Sequence, residues 1–298
     1  MKYSLLHNTD IRLSCIGFGC MSLDPAQQTQ SQAIIHEAIE KGVTFFDTAD
    51  LYNNGANEEM LGKAIANKRN KVIIATKVGN QMNADGKTWV WNASKTYILQ
   101  AIDKSLQRLK TDYVDLYQLH GGTLEDPIDE TIEAFERLKS QGKIREYGIS
   151  SIRPSVIRLW LEKSGMKTLM SQYSLLDQRP AETVLPLAIE DNIGVLARGG
   201  LAQGLLAGKP AKTYLDRTQD MVEKAAGALA KIDAKHHHCG VAALQFVLRH
   251  RAIASAVVGI RTREHLETAI EAAETRINEN DYQNVLETIS PNRYTENR

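Results

Sequence analysis

The sequence predicts an α/β fold, a closed (β/α)8 TIM barrel with an N-terminal β-hairpin, and three observations carry that prediction. Short apolar, β-branched runs alternate with longer helix-like stretches eight times along the chain, the pattern of successive βα units. Each connection is long enough for a right-handed crossover, and no linker or low-complexity block divides the 298 residues. Several apolar runs also stop on a polar, reactive residue, as strands do where they open on the C-terminal face of such a barrel. A doubly wound open sheet is the competing arrangement. With 43% hydrophobic content the chain can bury one large core, so a single domain over 1–298 is expected.

Taken in order, residues 3–6 and 11–13, joined through His7-Asn8-Thr9-Asp10, read as a hairpin that plugs or caps one end of the main fold. The first barrel strand is expected at 14–19, with a helix over 29–41. The second is the run Val43-Thr44-Phe45-Phe46, halted by Asp47. Turn-forming Asn53-Asn54-Gly55-Ala56-Asn57 follows, with Asn57 as N-cap of a helix over 58–67 whose first turn holds Glu58 and Glu59. Strands at 72–77, 113–119, 144–149 and 168–172 are each followed by a helix, at 95–109, 128–140, 155–162 and 181–190. Strands at 194–197 and 254–259, with helices near 240–249 and 263–273, complete the set.

Charge and cysteine usage narrow the function. Lys+Arg 36 balances Asp+Glu 36, so net charge points to neither nucleic acid nor an anionic membrane as partner. Residues 1–19 lack a signal-type apolar run, and nowhere do about eighteen apolar residues follow one another, so a cytoplasmic protein is expected. Cys15, Cys20 and Cys239 lack CxxC spacing, which favours free thiols over a disulfide framework or a zinc site. His236-His237-His238 are consecutive and cannot easily all face one ion; a solvated inter-helix loop is expected, and no metal site.

The expected strand ends are Gly17-Phe18-Gly19-Cys20-Met21, Asp47, Lys77, His120, Ser150-Ser151, Gln172-Tyr173, Arg198 and Gly259-Ile260-Arg261. Singly, each has an ordinary reading: the Asp as a cap, the Lys as a solvated charge, the His as a hydrogen-bonded structural group. Together with Tyr52, they bring a carboxylate, an amine, an imidazole and a phenol to one barrel face, the signature of a catalytic cluster. A phenol with a pKa near ~10 donates its proton reluctantly unless positive charge lies beside it. Lys77 can supply that charge, Asp47 can keep the ammonium charged, and His120 can donate to the same reacting oxygen. A proton donor and an imidazole aimed at one oxygen suit a carbonyl that becomes an alkoxide as hydride reaches its carbon. No side chain supplies hydride, so a nicotinamide cofactor and a small carbonyl substrate are expected.

The motifs GFGCM at 17–21, FFDTADLYNNGANEEMLGKAI at 45–65, ATKVG at 75–79 and DYVDLYQLHGG at 112–122 resemble those of the aldo-keto reductases. So do YGISS at 147–151, QYSLLDQRP at 172–180, QGLLAGK at 203–209 and VGIRTREHL at 258–266, which extends the resemblance over nearly the whole chain. A bacterial-type, short-loop member is implied. The resemblance assigns a catalytic tetrad to Asp47, Tyr52, Lys77 and His120, with Tyr52 as general acid, and lays NADPH across the barrel mouth. Ser150 and Gln172 would hold the nicotinamide carboxamide and Tyr173 would stack on the ring; Ser151 stands where Asn is usual. Gly19, Cys20, Met21, Asp47 and Gly259 would border the cofactor. Arg198, Gly200, Leu201 and Gln203 fall on the pyrophosphate loop, with Arg198 either a phosphate contact or a structural ion-pair partner. Arg261, Thr262 and Arg263 open a helix and would bind the 2′-phosphate. His265 replaces the usual Gln or Arg, and Thr268 and Ala269 replace the Glu-Asn pair that reads adenine. Trp89 and Trp91 would line a substrate pocket with Tyr52 and His120, or staple their loop to the barrel. A monomeric enzyme is expected; the alternative is an NADPH-binding, redox-sensing regulatory subunit with little turnover.

Overall fold

In the computed structural model, which describes residues 1–296, β1 (Tyr3–Leu5) and β2 (Arg12–Ser14) pair antiparallel ahead of the barrel. The chain then runs through β3 (Ile16–Gly19), α1 (Gln28–Glu40), β4 (Phe45–Asp47), α2 (Ala56–Ile65) and β5 (Ile73–Val78). A small antiparallel pair, β6 (Asn80–Met82) and β7 (Trp89–Trp91), rises from the end of β5 before α3 (Lys95–Leu109) and β8 (Val114–Leu119). Next come α4 (Ile128–Ser140), β9 (Ile144–Ser150), α5 (Pro154–Lys163), β10 (Thr168–Gln172), α6 (Val184–Glu190) and β11 (Gly194–Arg198). The chain continues with α7 (Gln219–Asp233), α8 (Val241–Leu248), β12 (Ile253–Gly259), α9 (Arg263–Glu274) and α10 (Glu279–Glu287). Strands β3, β4, β5, β8, β9, β10, β11 and β12 pair in parallel in that order, and β12 closes on β3, giving the predicted barrel.

Side chains alternate across the barrel wall, as the two-residue period of a strand requires. Phe45, Ala75, Leu116, Met170, Leu196, Ala254 and Val257 form an inner cluster, and Leu6, Ile11 and Leu13 of the hairpin join it. The hairpin therefore plugs one end of the barrel. Ser14 fixes the plug to β4, its hydroxyl accepting from the amides of Thr44 and Phe45 at 3.0 and 3.2 Å. Gly17 is needed beside it, because a Cβ there would lie 2.6 Å from Phe45 Cδ1. The outward residues of the same strands pack against the helices; Phe46, Ile74, Tyr117 and Tyr147 belong to that larger outer core.

Helix starts follow local chemistry. Ser94, Thr218, Thr262 and Asn278 cap α3, α7, α9 and α10 with side-chain oxygens, and Pro154 occupies the first turn of α5. Asn57 does not cap α2: Gly55 takes that place, and Asn57 lies inside the helix, buried. Its carbonyl oxygen accepts from Thr48 Oγ1 at 2.7 Å and its amide donates to the Cys20 carbonyl at 2.8 Å. Tertiary hydrogen bonds outcompeted the cap. Helices α7 and α10 and the β6–β7 pair add to the expected elements.

No helix among the described residues is long and apolar enough to cross a membrane. The three cysteines are free, and the described residues contain no cluster able to hold a metal ion. His236 and His238 instead face Glu271 and Glu267 of α9, at 3.4 and 3.8 Å. Those carboxylates come from a distant stretch of the chain.

Candidate active site

Asp47 ends β4 opposite Ala75 of β5, and two residues on, Lys77 points to the same side of the strand. Its ammonium donates to Asp47 Oδ2 at 2.7 Å, to the Thr48 carbonyl at 2.7 Å and to the Tyr52 hydroxyl at 3.4 Å. All three N–H groups of the ammonium are thereby engaged. The Lys77 side chain is fully buried and that of Asp47 is 5% exposed. Tyr52 reaches this point on a short 3-10 turn in which Asn53 and Asn54 are left-handed, at φ 50° and 54°, a conformation that Asn tolerates better than most residues. His120 follows β8, its amide bonded to the Val78 carbonyl at 2.7 Å. Its ring meets Tyr52 edge to face, with centroids 5.9 Å apart.

Burial pushes the Asp47 carboxyl above its ordinary value, against the pull of Lys77. For Lys77, burial opposes the charged form, but the Asp47 carboxylate and the hydrogen bonds to Asp47 and Tyr52 outweigh it, and the pKa is raised. The ammonium stays charged. The Tyr52 phenol is raised by burial; Lys77 pulls it down, as its position suggested, without fully offsetting desolvation. Burial, followed by the charges of Lys77 and Arg198, drops His120 to about 3, so this imidazole is neutral. His120 Nδ1 and Asp47 Oδ1 are buried without hydrogen-bond partners among the described residues.

Around the mouth, Arg198 donates to Gln172 Oε1 at 2.8 Å, and its charge reaches Asp47, Tyr52 and His120. It makes no ion pair among the described residues. The Gln172 amide nitrogen donates to Asp177 Oδ2 at 2.8 Å and to the Tyr214 hydroxyl at 3.3 Å. Tyr173 does not fit its expected stacking role. It follows Gln172 on the opposite side of the strand, is 4% exposed, and packs its ring against Phe246 and His250 at 5.6 and 5.8 Å. Cys20 is likewise fully buried, its thiol pushed up by burial, whereas Met21 beside it is exposed at the rim. Ser150 ends β9, half-buried; Ser151 is buried, and its hydroxyl accepts from the Arg153 amide at 3.2 Å.

The loop after β11 turns at Gly199, and the amides of Gly200 and Leu201 have no hydrogen-bond partner among the described residues. Gln203 is left-handed at φ 61°, and its carbonyl accepts from Lys209 Nζ at 2.9 Å. The charges of Arg261 and Lys209 both bear on His265, whose pKa is lowered first by burial and then by Arg261. Lys209, noticed in sequence only as the end of a motif, thus lies near His265, one of the residues expected on the phosphate side. Thr262 spends its hydroxyl on the His265 amide, and exposed Arg263 reaches Glu37 and Glu267, at 3.1 and 3.4 Å. Thr268 and Ala269 are buried at 7% and 0% exposure, and Thr268 bonds the Glu264 carbonyl, so neither faces an adenine site. Gly259, at the end of β12, is exposed.

The two tryptophans of β7 differ in their surroundings. Trp91 is the staple: its indole donates to Asp126 at 2.7 Å, and its ring covers Gly79 and Gly121. Trp89 is 51% exposed. The β6–β7 turn reaches the catalytic loop directly, Asn54 donating to the Gly86 carbonyl at 2.7 Å.

A parallel barrel whose mouth gathers this buried Lys–Asp pair, phenol and neutral imidazole belongs to the class of barrel oxidoreductases. The sequence matches the aldo/keto reductase family over residues 15–289, and the chain belongs to that family of nicotinamide-dependent oxidoreductases. It is 46% identical to the uncharacterized oxidoreductase YqkF of Bacillus subtilis over 285 residues, covering 93% of this chain and 92% of that one. It is 33% identical to the aldo-keto reductase YhdN of the same organism, covering 74% and 68%. The holo form of aldo-keto reductase AKR11C1 from Bacillus halodurans superimposes with a TM-score of 0.94 at 42% identity, covering 100% of this chain and 99% of the other.

Proposed function

We propose that the protein reduces aldehydes or ketones to alcohols with NADPH, and that Tyr52 is the general acid. The observation that carries this reading is the buried Lys77 ammonium, 2.7 Å from Asp47 and 3.4 Å from the Tyr52 hydroxyl. When bound, the reduced nicotinamide supplies hydride to the carbonyl carbon. Tyr52 gives its proton to the carbonyl oxygen, and the resulting phenolate faces the ammonium at 3.4 Å, an attraction of about 5 kcal/mol at an effective dielectric of ~20. Asp47 fixes Lys77 on its other side. His120 is neutral and keeps one N–H with which to hold the same oxygen, without competing as an acid near pH ~7.

The residues at the mouth fit the cofactor. The unpartnered amides of Gly200 and Leu201 suit pyrophosphate oxygens, with Gln203 and Lys209 beside them. Arg261 suits a 2′-phosphate and therefore favours NADPH over NADH; Arg263 must first leave Glu37. Ser150 and Gln172 remain the nicotinamide side of the site, with Arg198 bound to Gln172 where an open ring-facing surface was expected from Tyr173. Exposed Trp89 lines the substrate entrance. Steady-state NADPH oxidation with a panel of small aldehydes and ketones tests the proposal. Turnover that depends on Tyr52 supports it; tight NADPH binding with no carbonyl turned over would replace it with the regulatory-subunit reading.

A further inference from the structure

A second polar cluster lies behind the tetrad, on the outer side of β5. Thr76 alternates with Lys77 and turns toward α2 and α3, where its hydroxyl donates to Glu58 Oε1 at 2.5 Å. Glu58 is fully buried, and its other oxygen accepts from Arg108 Nε at 2.7 Å. Asp50 extends into the same cleft, and its Oδ1 is buried without a partner among the described residues; so is the Tyr117 hydroxyl. The groups facing Asp50 are Glu58 from α2, Arg108 and Tyr97 from α3 and Lys77 from β5, with Tyr117 of β8 in the same field. The local charge count is uneven: two carboxyl groups share one guanidinium, and that guanidinium is committed to Glu58.

We propose that Asp50 is a positioning residue for the tetrad, held as a neutral acid beside Glu58, and that its ionisation shifts the loop carrying Tyr52. This rests on the carbonyl-reductase reading above. Asp50 lies between Thr48, whose carbonyl holds Lys77 Nζ, and Tyr52, and its own amide donates to the Lys77 carbonyl at 3.4 Å. The loop is also confined from below: Gly55 has φ 87°, and a Cβ there would lie 2.6 Å from Arg108 Cδ. An anion at Asp50 would be repelled by Glu58 with no free cation to receive it, and the strain would fall on the segment between Lys77's two contacts. Burial, reinforced by Glu58 and opposed by Arg108, the Leu51 amide and Lys77, pushes the Asp50 carboxyl up to about 7, so the change falls in the working range.

The test compares pH profiles of kcat and KM for the parent, Asp50→Asn and Glu58→Gln, with NADPH and a reactive aldehyde. A misplacement of about 1 Å can cost ~10²-fold in rate, so a smaller shift should lower parental kcat on the order of tenfold between about pH 6 and 8.5, with little change in KM. Asp50→Asn, neutral throughout, should lack that limb and exceed the parent at the alkaline end. Glu58→Gln frees Arg108 for Asp50 and should move the limb to lower pH. A limb near 7 that persists in Asp50→Asn, or a parent without one, would overturn the positioning role. Unfolding provides a readout independent of turnover. Because the folded value lies above the unfolded ~3.9, stability contributed by Asp50 is present at low pH and lost as pH rises through about 4 to 7. The parent's melting temperature should therefore fall relative to Asp50→Asn across that window, and parallel profiles would refute the neutral acid. Absence of any carbonyl turnover would refute the functional reading, while divergent melting profiles would still support the neutral acid.

Discussion

Replacing Lys77 with Met removes the charge at the centre of the site while keeping most of the side-chain length. Asp47 Oδ2 and the Thr48 carbonyl lose their ammonium donor, and Asp47 Oδ1 has no partner to begin with. Asp47 is 4% exposed, so water cannot replace the lost cation. Stranding a buried carboxylate in this way costs about 3–5 kcal/mol. With the opposing pull of Lys77 gone, the carboxyl that burial already raises moves further up. Asp47 in the variant should then hold its proton to higher pH than in the parent. The sign follows: a folded-state pKa above the unfolded one gives stability that is present at low pH and lost as pH rises. The deficit relative to the parent should be smaller at acidic pH, where only hydrogen bonds are lost, and larger at alkaline pH, where a carboxylate is stranded. Urea unfolding across that range measures it. Adding Asp47→Asn should restore most of the stability at alkaline pH but not the activity, since Tyr52 still lacks its neighbouring charge. A deficit that is the same at every pH, or one that the second substitution leaves untouched, would refute the reasoning.

Tyr52→Phe deletes one hydroxyl and should leave folding and NADPH binding intact while kcat for carbonyl reduction drops about 10²–10⁴-fold; near-parental kcat with an unaltered alkaline limb would show that Tyr52 is not the donor. In the parent this limb should lie at high pH, separate from and above the one assigned to Asp50, because burial raises the phenol and holds its proton to higher pH. Arg261→Ala should weaken NADPH binding by roughly 1.5–3 kcal/mol and NADH binding far less, as read by fluorescence titration, whereas Arg263→Ala should do less because Arg263 is engaged with Glu37. Equal losses for both cofactors would remove Arg261 from the 2′-phosphate site. Gly17→Ala should destabilise by about 1–3 kcal/mol, since its methyl group meets Phe45 Cδ1 inside the plugged end; an unchanged urea midpoint would show that Phe45 can yield.

The barrel was legible because its strands are short apolar runs that stop on polar residues, and β10 and α3 fall where the sequence placed them. The gathering of Asp47, Lys77 and His120 was legible for the same reason: all three mark strand ends, and the barrel puts strand ends together. What escaped depends on contacts between distant segments. Asn57 has the chemistry of a cap, but Thr48 and the Cys20 carbonyl claim its amide. Tyr173 lies next to Gln172, yet the alternation of a strand sends the two to opposite sides of the wall. Helix α7 is an additional helix inside one βα connection, whereas α8 lies at Val241–Leu248, where a helix near 240–249 was expected. Nothing local in Asp50 distinguishes it from any loop aspartate; its neighbours Glu58 and Arg108 are 8 and 58 residues away in the chain, by difference of their numbers.

The hairpin plug has a consequence for synthesis on the ribosome. Residues 1–14 are made before any barrel strand, but the surface that buries Leu6, Ile11 and Leu13 includes Met170, Leu196, Ala254 and Val257. Ser255 also donates to the Ser14 carbonyl at 2.8 Å, across a separation of 241 residues. This apolar segment must therefore wait for β12 before water is excluded from it. Such long-range closure is slow compared with local helix formation, and for that interval Leu6, Ile11 and Leu13 are exposed to other nascent chains and to chaperones. Their burial marks the completion of the barrel.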